Sequence, residues 1–116
     1  MLTRGPAKKL VIYVSALQHY HHKPLYEAIV EFFYGNDCAG ATVTRGVAGY
    51  GRTGEFHEAK LLSLSDDVPM RIEVIESEEK IAALLPSLRE MVGDGMIALS
   101  DVEVIRNSSE AQRDVT

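Results

Sequence analysis

The sequence predicts an α+β fold, a ferredoxin-like βαββαβ sandwich. Three observations predict it: two stretches with apolar residues at helical spacing, β-branched runs flanking each of them, and a stretch between the two halves that reads as a returning hairpin arm. In such a fold one antiparallel sheet carries both helices on one face. The other face then needs cover, which association of subunits would supply.

The elements follow in order. Met1 to Lys8 is polar, punctuated by Gly5 and Pro6, and is expected to be a loose, disordered arm. Leu10-Val11-Ile12-Tyr13-Val14 is a compact strand. A polar turn rich in histidine follows, and Pro24 suits the first turn of a helix, where its missing N–H costs nothing. From Leu25 onward, Leu25, Ala28, Ile29, Phe32 and Phe33 form one helical face, with Glu27 and Glu31 opposite, until Gly35-Asn36-Asp37 stops the helix. A strand from Ala41 to Val47 runs into a glycine loop. Phe56 to Leu64 is the expected returning arm, and Asp66-Asp67 turns the chain.

After Pro69, Ile72 and Val74 share one strand face while Arg71 and Glu73 share the other. Ser77 is a good N-cap for the second helix, Glu78 and Glu79 complement its dipole, and Ile81, Leu84, Leu85, Leu88, Met91 and Val92 form its apolar stripe. Pro86 falls on the polar face, where a bend away from the core is tolerated. Gly93 ends this helix. Met96 to Leu99 and Val102 to Ile105 read as two short strands split by Ser100-Asp101, and the tail 107–116 as disordered.

At 116 residues the chain is one domain, expected to span 1–116. A net charge of −5 argues against a nucleic-acid partner, where a basic face is the usual footprint. No apolar run approaches the ~20 residues of a membrane span, and Leu10 to Val14 is too short for a signal peptide, so no membrane insertion and a cytoplasmic location are expected. Cys38 is the one cysteine, which rules out an intrachain disulfide and a cysteine-based metal site.

The chemistry concentrates in glycines. The strand beginning Gly40-Ala41-Thr42-Val43-Thr44-Arg45 dissolves into Gly46, Gly49, Gly51 and Gly54, and Gly93-Asp94-Gly95 forms a second glycine turn. Glycines let backbone N–H groups approach an anion, and Gly49-x-Gly51 followed by Arg52 and Thr53 adds a cation and a hydroxyl. The spacing Gly49-x-Gly51-x-x-Gly54 matches the dinucleotide fingerprint only formally, because no helix follows. A ligand-free hairpin tip and a simple helix cap are the alternative readings of the two loops. Arg45, Arg52, Lys60 and Arg106 are the cations available to a phosphate, although isolated basic residues usually just solvate a surface.

His19, His21 and His22 cluster around Tyr20, with His57 further on, and imidazoles at such spacing can bind zinc or copper; a solvated loop is the alternative. No serine or cysteine sits in a nucleophile elbow, and Cys38 reads as packing. No enzymatic activity is expected.

The succession of a Gly-Ala-Thr-Val strand, a Gly-Tyr-Gly-Arg loop, an Arg-Ile-Glu-Val-Ile strand and a Gly-Asp-Gly turn resembles the PII signalling superfamily. Lys23-Pro24-Leu25-Tyr26-Glu27-Ala28-Ile29, Ala82-Ala83-Leu84-Leu85-Pro86 and Asp101-Val102-Glu103-Val104-Ile105 resemble more closely its small PII-like branch, domain-of-unknown-function family 190. The likeness runs from about Leu10 to Ile105. It implies a homotrimer that binds an adenine nucleotide (ATP, ADP, AMP or cyclic AMP) in clefts between subunits. It also implies a mobile loop that regulates a partner such as a membrane transporter or channel.

Carried over by position, Thr42 would lie near the base, and Gly49, Gly51, Arg52 and Thr53 would form the root of the mobile loop. Gly93, Asp94 and Gly95 would wrap the phosphates, with Arg106 near the family's C-terminal basic residues. This chain has Met96 where PII proteins usually have a phosphate-touching lysine, and Glu90-Met91-Val92 where a Thr-Gly pair normally precedes the turn. Each such lost charge-assisted contact is worth about 1.5–3 kcal/mol, which points to a nucleotide with fewer phosphates than ATP or to another small anion. The divalent-cation-tolerance proteins share this fold, so a trimeric metal-binding protein using His19, His21 and His22 is the alternative expectation, and a ligand-free scaffold a third.

Overall fold

The computed structural model describes residues 2–49 and 67–106. Within them the chain forms β1 (Gly5–Ser15), β2 (His19–Tyr20), β3 (Lys23–Pro24), α1 (Leu25–Gly35), β4 (Ala41–Arg45), β5 (Pro69–Glu76), α2 (Glu78–Val92) and β6 (Met96–Val104). The four longer strands make one antiparallel sheet in the order β4-β5-β1-β6, the ferredoxin-like α+β arrangement.

Period-two alternation explains which face is buried. Leu10, Ile12 and Val14 of β1 and Met70, Ile72 and Val74 of β5 point to the helices, where Leu25, Ile29 and Phe33 of α1 and Ile81, Leu84, Leu88 and Val92 of α2 meet them. These side chains are the core. Pro86 lies inside α2 and is exposed, as its place on the polar face requires. The Ser77 hydroxyl accepts from the Lys80 N–H at 3.2 Å, the cap expected of it.

The structure corrects three boundaries. Strand β1 begins at Gly5, so Gly5 to Lys8 belongs to the sheet and not to an arm. The reason lies in the register: pairing with β5 starts only at Lys8, so Gly5 to Ala7 bond to β6 alone, and Pro6 needs no donor on its other side. Strand β6 is continuous through Ser100-Asp101. Those two residues stay in register opposite Lys9 and Lys8, and the Lys8 ammonium bonds the Asp101 carboxylate across the strands. Finally, β4 ends at Arg45, two residues short of expectation, where the Gly46 N–H donates to the Pro69 carbonyl at 2.7 Å.

The histidine-rich turn is a small hairpin, β2–β3, with His21 and His22 as its two-residue tip. The expected arm from Phe56 to Leu64, Asp66 and the tail 107–116 lie outside the described residues.

Candidate functional site

The antiparallel register gathers Gly46 and Gly49 of the first glycine loop and the Gly93–Gly95 turn at one end of the sheet. Strands β4 and β1 finish there, and β5 and β6 start there: Arg45 pairs with Met70, Ser15 with Pro69, and Tyr13 with Met96. Gly46 and Gly49 leave β4 over Pro69, and Gly93-Asp94-Gly95 enters β6. Three inter-strand spacings, about 14 Å, separate the lines of β4 and β6.

Close approach accounts for two of these glycines. A Cβ on Gly95 would stand 2.5 Å from the Tyr13 carbonyl oxygen and 2.8 Å from Val92 Cγ1. One on Gly46 would stand 2.7 Å from Pro69 Cγ. Gly93 needs its glycine for another reason: it closes α2 with φ of 60° and ψ of −114°, a conformation side chains disfavour.

The two glycine amides of the second turn are already engaged. The Gly93 N–H donates to the Arg89 carbonyl at 3.4 Å, and the Gly95 N–H to the Val92 carbonyl at 3.2 Å. The Gln18 amide donates to that same Val92 carbonyl at 3.3 Å. Binding an anion at this turn would therefore exchange an internal bond for one to the ligand.

On the sheet face away from the helices, beside this end, lies a polar constellation that the sequence reading did not single out. Thr42 pairs with Glu73 and Thr44 with Arg71 across β4 and β5, and Arg71 pairs with Tyr13 across β5 and β1. Directly opposed side chains on one face stand ~5 Å apart at Cβ. Arg71 donates to Glu73 at 2.6 Å. The Glu73 carboxylate first, and then the Tyr13 hydroxyl, hold the Arg71 guanidinium above its ordinary range. The result is a fixed cation flanked by hydroxyls and a carboxylate, suited to polar groups of a small ligand. The alternation that placed Arg71 and Glu73 on one face was legible in the sequence. The register that brings Thr42, Thr44 and Tyr13 beside them was not.

Thr42 is exposed on the edge strand within this group, while Met96 is 61% exposed opposite Tyr13. Arg106 lies elsewhere. It lies eleven residues beyond Gly95, past the far end of β6, whose nine residues span about 30 Å. Within one protomer it cannot join that turn. Gly51, Arg52 and Thr53, with Lys60 and His57, fall outside the described residues.

The histidines sit in the β2–β3 hairpin, where His19 Nδ1 is 2.8 Å from the Leu17 carbonyl and His21 stacks edge-on against Tyr20 at 4.3 Å between ring centroids. No group of three or more His, Cys, Asp or Glu side chains among the described residues is arranged to hold a metal. Cys38 packs against the core, and burial pushes its thiol up from the ordinary value, away from the reactive thiolate. No helix among the described residues is long and apolar enough to cross a membrane.

The chain is similar to known proteins over most of its length. The family model DUF190, described as "Uncharacterized ACR, COG1993", matches residues 7–104. A UPF0166 protein from Aquifex aeolicus is 39% identical over 98 residues, covering 84% of this chain and 92% of the relative. The UPF0166 protein MJ1524 from Methanocaldococcus jannaschii is 32% identical over 104 residues, 89% of this chain and 95% of that one. Among solved structures, CPII from Thiomonas intermedia K12, a nitrogen regulatory PII-like protein bound to ADP, AMP and bicarbonate, superposes with a TM-score of 0.67 at 23% identity, covering 91% of this chain and 94% of its own.

Proposed function

Because the chain belongs to the DUF190 family and has the fold of a PII-like protein, we propose that it is a regulatory protein that binds an adenine nucleotide between the subunits of a homotrimer. The observation that carries this reading is the convergence of Gly46, Gly49 and the Gly93–Gly95 turn on one end of the sheet, next to the Thr42–Thr44–Arg71–Glu73–Tyr13 group. The binding of ADP and AMP by CPII supports the choice of ligand.

Geometry favours a site shared between copies. One protomer's two glycine turns stand about 14 Å apart, and its Arg106 is at the opposite end of the sheet. A second copy packed on the open sheet face would bring its own groups to the cleft and cover Tyr13 and Met96, 41% and 61% exposed. Thr42 and Glu73 would face the nucleoside, the Gly93–Gly95 turn the phosphates, and Arg106 would come from the neighbour. Gly49, Gly51, Arg52 and Thr53 would root a loop whose ordering on binding alters affinity for a membrane transporter or channel. With Met96 in place of a lysine, ADP or AMP should bind more tightly than ATP. The role is one of binding, with no bond made or broken.

Calorimetric titration of the metal-free protein with ATP, ADP, AMP and cyclic AMP, with the mass in solution measured on the same sample, tests this. Binding near one nucleotide per subunit in a particle of three chains is the expected result. Absence of binding at protein concentrations that would register a millimolar affinity overturns the nucleotide reading.

A further inference from the structure

We infer that Gln18 is a positioning residue for the Gly93–Gly95 turn, one that frees the Gly95 amide to meet an anionic ligand; this rests on the reading of that turn as a phosphate site. Gln18 uses all four of its hydrogen-bonding groups to join three elements. Its backbone N–H donates to the Ser15 carbonyl at 3.1 Å, and its carbonyl accepts from the Leu25 N–H at 2.7 Å. Its side-chain oxygen accepts from the Ser15 N–H at 3.4 Å, and its side-chain amide donates to the Val92 carbonyl at 3.3 Å.

That places one side chain between the end of β1, the start of α1 and the end of α2. Helix α1 has Pro24 at its N-cap with no side-chain cap bond, so the Gln18 carbonyl satisfies one of its orphan donors. The Gln18 backbone is thereby held in place, and its side chain is aimed at the turn.

The Val92 carbonyl belongs to the last turn of α2, has no acceptor role within the helix, and takes two donors at once, Gln18 and the Gly95 N–H. A carbonyl oxygen has two lone pairs, so both bonds coexist. If Gly95 were its sole partner, handing the Gly95 N–H to a phosphate would strand a carbonyl on a residue that is 1% exposed. With Gln18 present the carbonyl keeps a donor, and the Gly95 amide can be exchanged at little cost. Gln18 therefore acts through the turn and touches no ligand itself.

Gln18→Met keeps the length of the side chain and removes its donor. In this variant the affinity for ADP should fall about tenfold, the low end of what leaving a buried carbonyl unsatisfied costs, while that for adenosine, which has no phosphate, should change less than twofold. A merely structural role would weaken both ligands together, and an unchanged ratio of ADP to adenosine affinity overturns the proposal. Amide hydrogen exchange of Gly95 in the ligand-free protein provides a reading that needs no nucleotide. Gly95 should exchange more slowly in Gln18→Met, because it becomes the sole donor to Val92; unchanged or faster exchange overturns the inference even if the wild type binds no nucleotide. Slower exchange in a protein that binds no nucleotide would uphold the shared carbonyl and sink only the phosphate reading. Should Gln18→Met not fold, Gln18→Asn, which keeps the amide but falls one methylene short, serves for both measurements.

Discussion

Gly95 looks like a ligand residue in the sequence, yet its glycine has a packing cause. Any side chain there meets the Tyr13 carbonyl oxygen at 2.5 Å, a backbone atom that cannot swing aside. Gly95→Val should therefore cost about 1–3 kcal/mol by overpacking alone, seen as a lowered urea midpoint with no ligand present. Loss of nucleotide affinity in that variant would not by itself identify a phosphate contact. Cys38 makes a second prediction at this scale. Desolvation by burial raises its thiol above the ordinary 9.0, with the nearby Glu76 adding to the rise and Lys80 opposing it. A raised folded value means that the native state holds its proton more tightly, so this contribution is complete below the ordinary thiol range and is lost as pH rises through the folded value. Between pH 8 and pH 10 the wild type should lose more stability than Cys38→Ala, measured as the shift in urea midpoint. Alkylation of the native thiol at pH 8 should be slower than in the unfolded chain.

Two elements hold in place the segments that lead to the site. Glu76, the last residue of β5, is fully buried and accepts from the Ala39 N–H at 2.7 Å and the Ser77 N–H at 3.0 Å. It ties the connection between α1 and β4 to the start of α2, so the edge strand carrying Thr42 depends on it. Glu76→Ala leaves two donors without their acceptor, at about 1–3 kcal/mol each, and denaturant unfolding should show a drop of that size. The β2–β3 hairpin holds the opposite kind of residue. His21 and His22 have φ of 49° and 71°, the left-handed region where a two-residue tip normally carries Asn-Gly. The pair His21→Asn and His22→Gly should raise stability by about 1–2 kcal/mol, read as a higher melting temperature. No rise would mean that the tip is relaxed by contacts of its own.

At the scale of the molecule, what the sequence makes legible follows from local periodicity. Spacing of 3.6 marks α1 and α2 with their core faces, and alternation marks β5, because both patterns report only which side of an element is buried. Ser77 and Gly93 mark the ends of α2 because caps are local chemistry. Ser100-Asp101 misled for the same reason: polar residues read locally as a break, whereas Lys8 opposite Asp101 makes them an ordinary cross-strand pair. Pro6 misled likewise, since its tolerance depends on which neighbour β1 lacks at that point.

The candidate site divides along the same line. Residue type and local spacing set the fold class, the Gly93–Gly95 turn and the resemblance that the family match bears out, because each is written in short stretches of the chain. Only the tertiary structure decided that Tyr13, Thr42, Thr44, Arg71 and Glu73 share one patch, that Gln18 reaches Val92, and that Arg106 stands at the far end of the sheet from Gly95. Those relations depend on strand order and register. Both are set by how distant segments bury their apolar faces together, an energy that no single stretch of the chain contains.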